Sequence, residues 1–524
     1  MLQVHLILVC AISAIAVICY HYVAKKYQYF LSKPIPCVKP TFLLGSSGAT
    51  VFRRRGIVSQ LIKLYNAYPE SKVTGAYDFT TPVFLIRDPD FVKKICVKEF
   101  DFFTDHTPIM PIDKADKEND RKSFTQNSLF LLRGQKWRDM RATLSPAFTG
   151  SKMRHMFDLV AKCGQSMSNF FTEELKRENS MEYEMKDIFS RLCTDMIGTV
   201  AFGYEMDSLA NRNNEFYLQA TQMINPRSIV LMFKFLLMFT LPSFMEKLGV
   251  DFISSSLLKY FKGIILDNFK QREMRGIVRN DMIHMLMEIR QGIQTQESTV
   301  KESIHFRKWT DNELIAQCLL FFMAGYETVS TCLSFLTYEL AVNSEVQKRL
   351  YEEIQNTEQS LNGTPLTYEI LQNMPYMDMV VSEGLRMWPP QLISERHCTK
   401  DYHYDDGSGT QFIIEKGRTV MIPIIAIHRD PKYYPNPDKF DPERFGEANQ
   451  SKLVSGTYLP FSLGPRNCIG SRLAVMEVKS TIYYLLKNFS LNPSERTQIP
   501  LRLMKHMFAL LSEKGIWLKI EPRN

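Results

Sequence analysis

Between Thr310 and Asn343 the chain runs without a proline and is mostly apolar. Thr310 followed three residues later by Glu313 has the form of a capping box, so a helix starts there. At 1.5 Å per residue the stretch predicts a helix of roughly 50 Å. A helix that long and apolar nearly all round belongs in the middle of a large domain. The composition allows it: 45% of the 524 residues are hydrophobic and 12% aromatic, ample for one large core. After the N-terminus there is no Ser/Gly linker, low-complexity tract or internal repeat to divide the chain. The centre of the helix breaks its own pattern with Ala324-Gly325-Tyr326-Glu327-Thr328. Ala324 and Gly325 are small and let something press close to the backbone. Glu327 puts a charge in a core, which costs free energy unless it is paired or functional. Thr328 can bond back to a carbonyl and open the helix locally. Taken alone, this is either a kink with an ion-paired Glu or a groove with work to do.

The second constraint is the stretch Phe461-Ser462-Leu463-Gly464-Pro465-Arg466-Asn467-Cys468-Ile469-Gly470. The residues after Gly470 read as a helix, so Cys468 stands in a tight loop at a helix N-terminus. Unpaired N–H groups and the helix dipole favour an anion there, and a cysteine so placed is expected to ionise easily. Zinc would want a second Cys and a His at short spacing. The nearest cysteines are Cys398 and Cys332, and the nearest His is His506. A lone thiolate suits haem iron, where the porphyrin supplies the other four ligands. A single cysteine is otherwise a small buried hydrophobe, but its frame has jobs to do. Gly464 and Gly470 permit backbone conformations barred to other residues. Phe461 can shield the sulfur, and Arg466 can reach an anion such as a haem propionate.

That frame, F-x-x-G-x-R-x-C-x-G, resembles the cysteine-ligand signature of the cytochrome P450 haem-thiolate monooxygenases. Further parts follow in the family's order. Ala324-Gly325-Tyr326-Glu327-Thr328 resembles the oxygen-activation groove, which implies that Thr328 and Glu327 serve proton delivery. Glu383-Gly384-Leu385-Arg386 with Asp441-Pro442-Glu443-Arg444-Phe445 resembles the E-x-x-R helix and its partner loop, implying a structural triad of Glu383, Arg386 and Arg444. Trp137 and Arg141, one helical turn apart, resemble the pair that hydrogen-bonds a haem propionate. Leu392-Ile393-Ser394-Glu395-Arg396 reads as a strand whose Arg396 binds a propionate. His428 reads as a structural hydrogen-bonder. The resemblance implies haem b with axial thiolate from Cys468, bound by Cys468, Trp137, Arg141, Arg396, Arg466, Phe461, Gly464, Gly470, Ala324 and Gly325. It also implies substrate contacts at Phe321, Phe322, Leu392, Ile393, Met507 and Phe508. The fold expected is mainly α with smaller β-sheets, with the long helix crossing the haem. Leu144-Ser145-Pro146-Ala147-Phe148-Thr149-Gly150-Ser151-Lys152-Met153 looks like the insect xenobiotic-metabolising branch.

Leu2 to Tyr22 holds no Asp, Glu, Lys or Arg. As a helix it would span about 31 Å, enough for a bilayer core. Lys25 and Lys26 follow, which puts the downstream chain in the cytoplasm. The alternative, a cleaved signal peptide, carries its basic flank before the apolar run. The organisation read is a transmembrane signal anchor over 1–25, a proline-rich hinge over 26–40 and a haem-binding catalytic domain over 41–524, at the endoplasmic reticulum membrane. The ten cysteines lack framework spacing and read as reduced cytosolic thiols. The net charge of +8 suits a membrane surface or an acidic partner, and no Lys/Arg run argues for nucleic acid. No nicotinamide or flavin fingerprint occurs. The resemblance therefore implies electrons from NADPH–cytochrome P450 reductase, with cytochrome b5 as a second donor, and O2 and a small apolar molecule as substrates. Lys136, Arg138 and Arg472 are basic candidates for that docking. The apolar run Ile229 to Phe239 reads as a lid or membrane-dipping element. Three other readings stand beside this one: a peroxide-rearranging member, a hormone- or lipid-synthesising member, and a membrane-anchored haem-binding protein without turnover.

Overall fold

The computed structural model describes residues 2–107, 124–178, 180–223, 228–240, 244–245, 248, 253–279, 281–291, 309–506 and 508–523. Helices dominate, and three small sheets flank them. The expected central helix, labelled α5, runs Asp311–Val342. Its capping box is complete: Glu313 N–H donates to Thr310 Oγ1 at 3.3 Å, and Thr310 N–H donates to Glu313 Oε2 at 3.0 Å. Glu313 also pairs with Lys136 at 2.5 Å. From Leu314 to Phe322 and from Val329 to Ala341 nearly every side chain is buried.

Helices from both sides of the sequence enclose it. These are α2 (Gly134–Leu144), α3 (Gly150–Leu175) and α4 (Met185–Phe202), then α6 (Ser344–Leu361), α7 (Pro375–Met387) and α8 (Ser471–Asn488); α1 (Leu2–Lys26) is not among them. Helix α4 is buried on almost every side because it lies along α5. Gly384 of α7 makes another close approach, since a Cβ there would stand 2.8 Å from Leu336 Cδ1 of α5. Helix α1 is different: its apolar side chains point outward, and only 6% of its most apolar window is buried. It is long and apolar enough to cross a membrane.

The first sheet orders β1 (Val73–Asp78), β2 (Thr81–Ile86), β7 (Thr419–Ile422) and β4 (Ser394–His397), with β2 and β7 parallel and the outer pairs antiparallel. β5 (Tyr402–Asp405) and β6 (Gln411–Ile414) form a hairpin. β3 (Met181–Glu184), β9 (Trp517–Pro522) and β8 (Phe489–Pro493) make an antiparallel sheet. One hydrophobic core surrounds α5, and a second lies under the first sheet. The cysteine loop lies between them, with Phe461 packed on the first core and Leu463 on the second.

Candidate active site

The loop before α8 is pinned at several points. Cys468 N–H donates to Phe461 O at 2.9 Å, and Asn467 N–H to Gly464 O at 2.9 Å. Gly464 has φ +74°, and a Cβ there would fall 1.8 Å from Cys96 O. Here only glycine fits. Gly470, the cap residue of α8, has φ −91°, open to any residue, and a Cβ on it would meet only Phe148 at 3.8 Å. The expected special conformation therefore holds at Gly464 and not at Gly470.

Cys468 is exposed, yet protein surrounds it closely enough that burial raises its pKa. The two facts agree if the thiol faces open space inside the protein and not bulk water. The Gly470 N–H and the Arg141 charge pull the other way and do not outweigh burial. The helix start alone thus does not give the easy ionisation expected from the sequence, and a metal cation would supply the missing stabilisation. Among the described residues no cluster of three or more His, Cys, Asp or Glu is placed to hold a metal.

The middle of α5 opens in the same way. Ala324 and Thr328 are exposed, with Met323, Gly325 and Glu327 half-buried, in a helix buried on either side of them. Thr328 Oγ1 donates to Ala324 O at 2.6 Å, the back-bond that loosens a helix. Two phenyl rings join this face to the cysteine loop. Phe148 lies beside Gly470, and its ring is 5.6 Å from that of Phe321 on α5. Glu327 turns toward α4 and pairs with Lys186 at 3.0 Å. Phe322 also turns away, into an aromatic cluster with Phe202, Phe216, Phe261 and Tyr326. It is fully buried in core packing, so it lies off the face that carries Ala324 and Thr328.

The basic residues divide into two kinds. Arg466 is engaged by protein: Nε donates to Thr104 O at 2.7 Å, Nη1 to Leu129 O at 3.3 Å, and Nη2 to Leu132 O at 2.7 Å and to Asp105 Oδ1 at 3.3 Å. Its guanidinium also stacks 3.9 Å from the Trp137 ring, and burial pulls its pKa down to about 9. Arg141 holds the cysteine loop, donating to Asn467 O at 2.9 Å and Asn467 Oδ1 at 2.8 Å. Arg396 is fully buried, yet its Nε has no partner among the described residues. Its other nitrogens reach Ser394 Oγ, Glu395 O and Ser462 Oγ. A buried cation with a spare donor fits an anion such as a carboxylate.

Beneath the loop, Arg386 forks onto Glu383 at 2.6 and 2.8 Å, with both side chains fully buried. Arg444 Nε donates to Glu383 Oε1 at 3.3 Å. His428 accepts from Leu459 N–H at 2.9 Å, and burial lowers its pKa to about 3, so it is a neutral structural residue. Leu392 is buried, Ile393 half-buried, and Phe508 exposed. Met507 lies outside the described residues. Sequence reasoning missed Asp105 and Lys186: each acts through a partner hundreds of residues or a whole helix away, and no local motif marks it.

An exposed thiol in a closely packed loop, an exposed Ala324 and Thr328 on the helix that Phe148 and Phe321 join to that loop, and a buried Arg with a free donor fit a flat macrocycle bearing carboxylates. They do not fit a compact all-protein metal cage. The cytochrome P450 family model matches residues 34–519. Among curated relatives, the chain is 39% identical over 529 residues to cytochrome P450 9e2 of Blattella germanica, covering 98% of this chain and 97% of that one. It is 36% identical over 518 residues to cytochrome P450 9b2 of Drosophila melanogaster, covering 98% of each. To cytochrome P450 6k1 of Blattella germanica it is 34% identical over 515 residues, covering 96% and 95%.

Proposed function

Because this chain belongs to the cytochrome P450 family, and so is a monooxygenase, we propose that it oxidises small apolar xenobiotics such as insecticides or plant toxins. The observation that supports the reading is the Phe148–Phe321 contact, which joins the loop of Cys468 and Gly470 to the helix that exposes Ala324 and Thr328. The overall change is balanced: RH, O2, two electrons and two protons give ROH and water. Haem held by Cys468 would supply the dioxygen activation, with thiolate electron density favouring O–O cleavage. The protein does the rest. Arg396 and Trp137 would hold the haem carboxylates, with Arg466 behind Trp137 and Arg141 fixing the loop. Phe461 and Phe148 exclude water from the sulfur side. Thr328 presents a hydroxyl to the oxygen side, and Glu327 supplies it with protons. Electrons come from NADPH through a separate reductase, with α1 placing the catalytic domain on the cytoplasmic face of the endoplasmic reticulum.

Reduced protein under carbon monoxide should show the red-shifted Soret band of thiolate-ligated haem, and Cys468→Ser should lose it. An imidazole-like band in the parent protein would sink the assignment. Turnover with reductase and NADPH against insecticides, plant toxins and steroids tests the substrate class. Selective turnover of steroids alone would move the protein to hormone synthesis.

A further inference from the structure

Lys186 begins α4 and carries its ammonium into the flank of the central helix. Nζ donates to Glu327 Oε1 at 3.0 Å, Ser330 Oγ at 2.8 Å and Thr331 Oγ1 at 2.8 Å. Thr331 Oγ1 donates to Glu327 Oε1 as well, at 3.3 Å. The surroundings are tightly closed: Tyr326, Val329, Ser330 and Thr331 are buried. The Lys186 and Glu327 side chains nevertheless keep 25% and 21% exposure. The pair is thus a partly exposed polar break in an otherwise buried seam between α4 and α5. Tyr326 and Cys193 are the other titratable groups that feel the Glu327 charge. Burial pushes both upward, with the Glu327 charge the next cause at Tyr326 and a lesser one than Glu477 at Cys193, so neither competes as a proton carrier.

Thr328 follows Glu327 directly and is turned from it by about 100° around the helix. Its hydroxyl lies on the side of Ala324, where the helix is exposed. Glu327 therefore stands between the seam and the Thr328 face. We propose that protons for the reaction enter at the α4–α5 seam, and that Lys186 is the positioning residue that holds the Glu327 carboxylate there. The inference rests on the monooxygenase reading and deepens it. A carboxylate held by one ammonium and one hydroxyl has a fixed place from which to take protons. Without the ammonium it has no partner on α4 and loses that place.

The test uses the full-length, haem-loaded protein with its reductase. Lys186→Met should keep the carbon monoxide spectrum, and a crystal structure of the variant should show the Glu327 carboxylate displaced. Product formed per reductant consumed should fall about tenfold, a part of what a positioned acid–base group contributes. The balance should appear as peroxide, and the solvent deuterium isotope effect on turnover should rise. Glu327→Gln should behave alike, with no further loss in the double variant, as for residues acting through one another. Lys186→Arg should restore most of the coupling. If Met at 186 prevents haem retention, Lys186→Gln, which keeps a donor for Ser330 and Thr331, carries the same expectation. Parental coupling and isotope effect in the Met or Gln variant, or additivity with Glu327→Gln, overturns the inference. Absence of the thiolate spectrum in the parent would overturn the haem reading and the inference with it.

Discussion

Gly464 and Glu477 show how much single residues carry here. Gly464→Ala forces a Cβ into left-handed backbone and onto Cys96 O. The conformation alone costs about 1–2 kcal/mol, and the overlap moves the cysteine loop as well. The variant should unfold at lower urea and release haem faster; parental retention would mean that the loop has slack. Glu477 of α8 is buried, with Oε1 unpartnered among the described residues, and burial pushes its pKa from 4.5 to about 8. A raised carboxyl keeps its proton in the folded state while the unfolded chain gives it up. Its stabilising contribution is complete below pH 4.5 and drains as pH rises to about 8. Denaturation midpoints for Glu477→Gln should therefore fall less than the parent's between about pH 5 and 8; equal slopes would mean that the carboxyl titrates normally. At this scale the sequence is legible where chemistry has a local frame. The Glu383–Arg386 pair and the Thr328 back-bond follow from local spacing, while the roles of Cys468 and Thr328 rest on the resemblance. Phe322 and Gly470 were less legible because their roles depend on what faces them. Arg466 points to carbonyls of residues 104, 129 and 132, which no motif names.

Among the elements, α5 was legible almost to the residue. Its capping box, lack of proline and apolar length determine its start, course and burial together. Its cross-links were not legible. Gln317 reaches out of the helix to accept from Leu129 N–H at 2.7 Å and donate to Asn127 O at 2.7 Å, while also donating to Glu313 O at 2.8 Å. It ties the segment entering α2 to the central helix. Gln317→Leu keeps the bulk but leaves a buried N–H and a carbonyl unpaired, at a cost of roughly 2 kcal/mol. Amide exchange should speed up over residues 127–132 while the middle of α5 stays protected. Unchanged exchange there would show that the Arg466 contacts alone hold the segment. The same long-range logic hid Lys186: its partners on α5 lie a domain's length away in sequence, and side-chain type alone does not say which charges meet.

For the whole molecule, the question is where the body begins. Sequence spacing marks off an apolar helix at the N-terminus, but packing decides which of the residues beyond it belong to the fold. Tyr27 OH donates to Thr41 O at 3.0 Å and accepts from Gly45 N–H at 3.2 Å, while Tyr77 OH donates to Tyr27 O at 2.9 Å. The Phe30 ring stands 2.8 Å from where a Cβ on Gly75 would be, so glycine in β1 makes room for it. Lys33 Nζ reaches Glu415 Oε1 at 2.9 Å and Ile413 O at 2.6 Å. Val38 N–H donates to Gly75 O at 2.9 Å, and Gly75 N–H to Pro36 O at 2.8 Å, continuing the edge of β1. The proline-rich stretch is therefore stapled to the first sheet. Two truncations separate the apolar helix from the body. Removing residues 1–26 takes mostly outward-facing side chains, with Val23 a buried exception. That protein should keep the thiolate spectrum and nearly the parental melting temperature. Removing residues 1–40 also takes buried Phe30 and Ile35, worth about 1.5–3 kcal/mol each, together with the Tyr27 and Lys33 bonds. It should melt several degrees lower and hold haem poorly. Equal behaviour of the two truncations would show that the first forty residues form a detached tether, and loss of the spectrum in the shorter truncation would make α1 part of the fold.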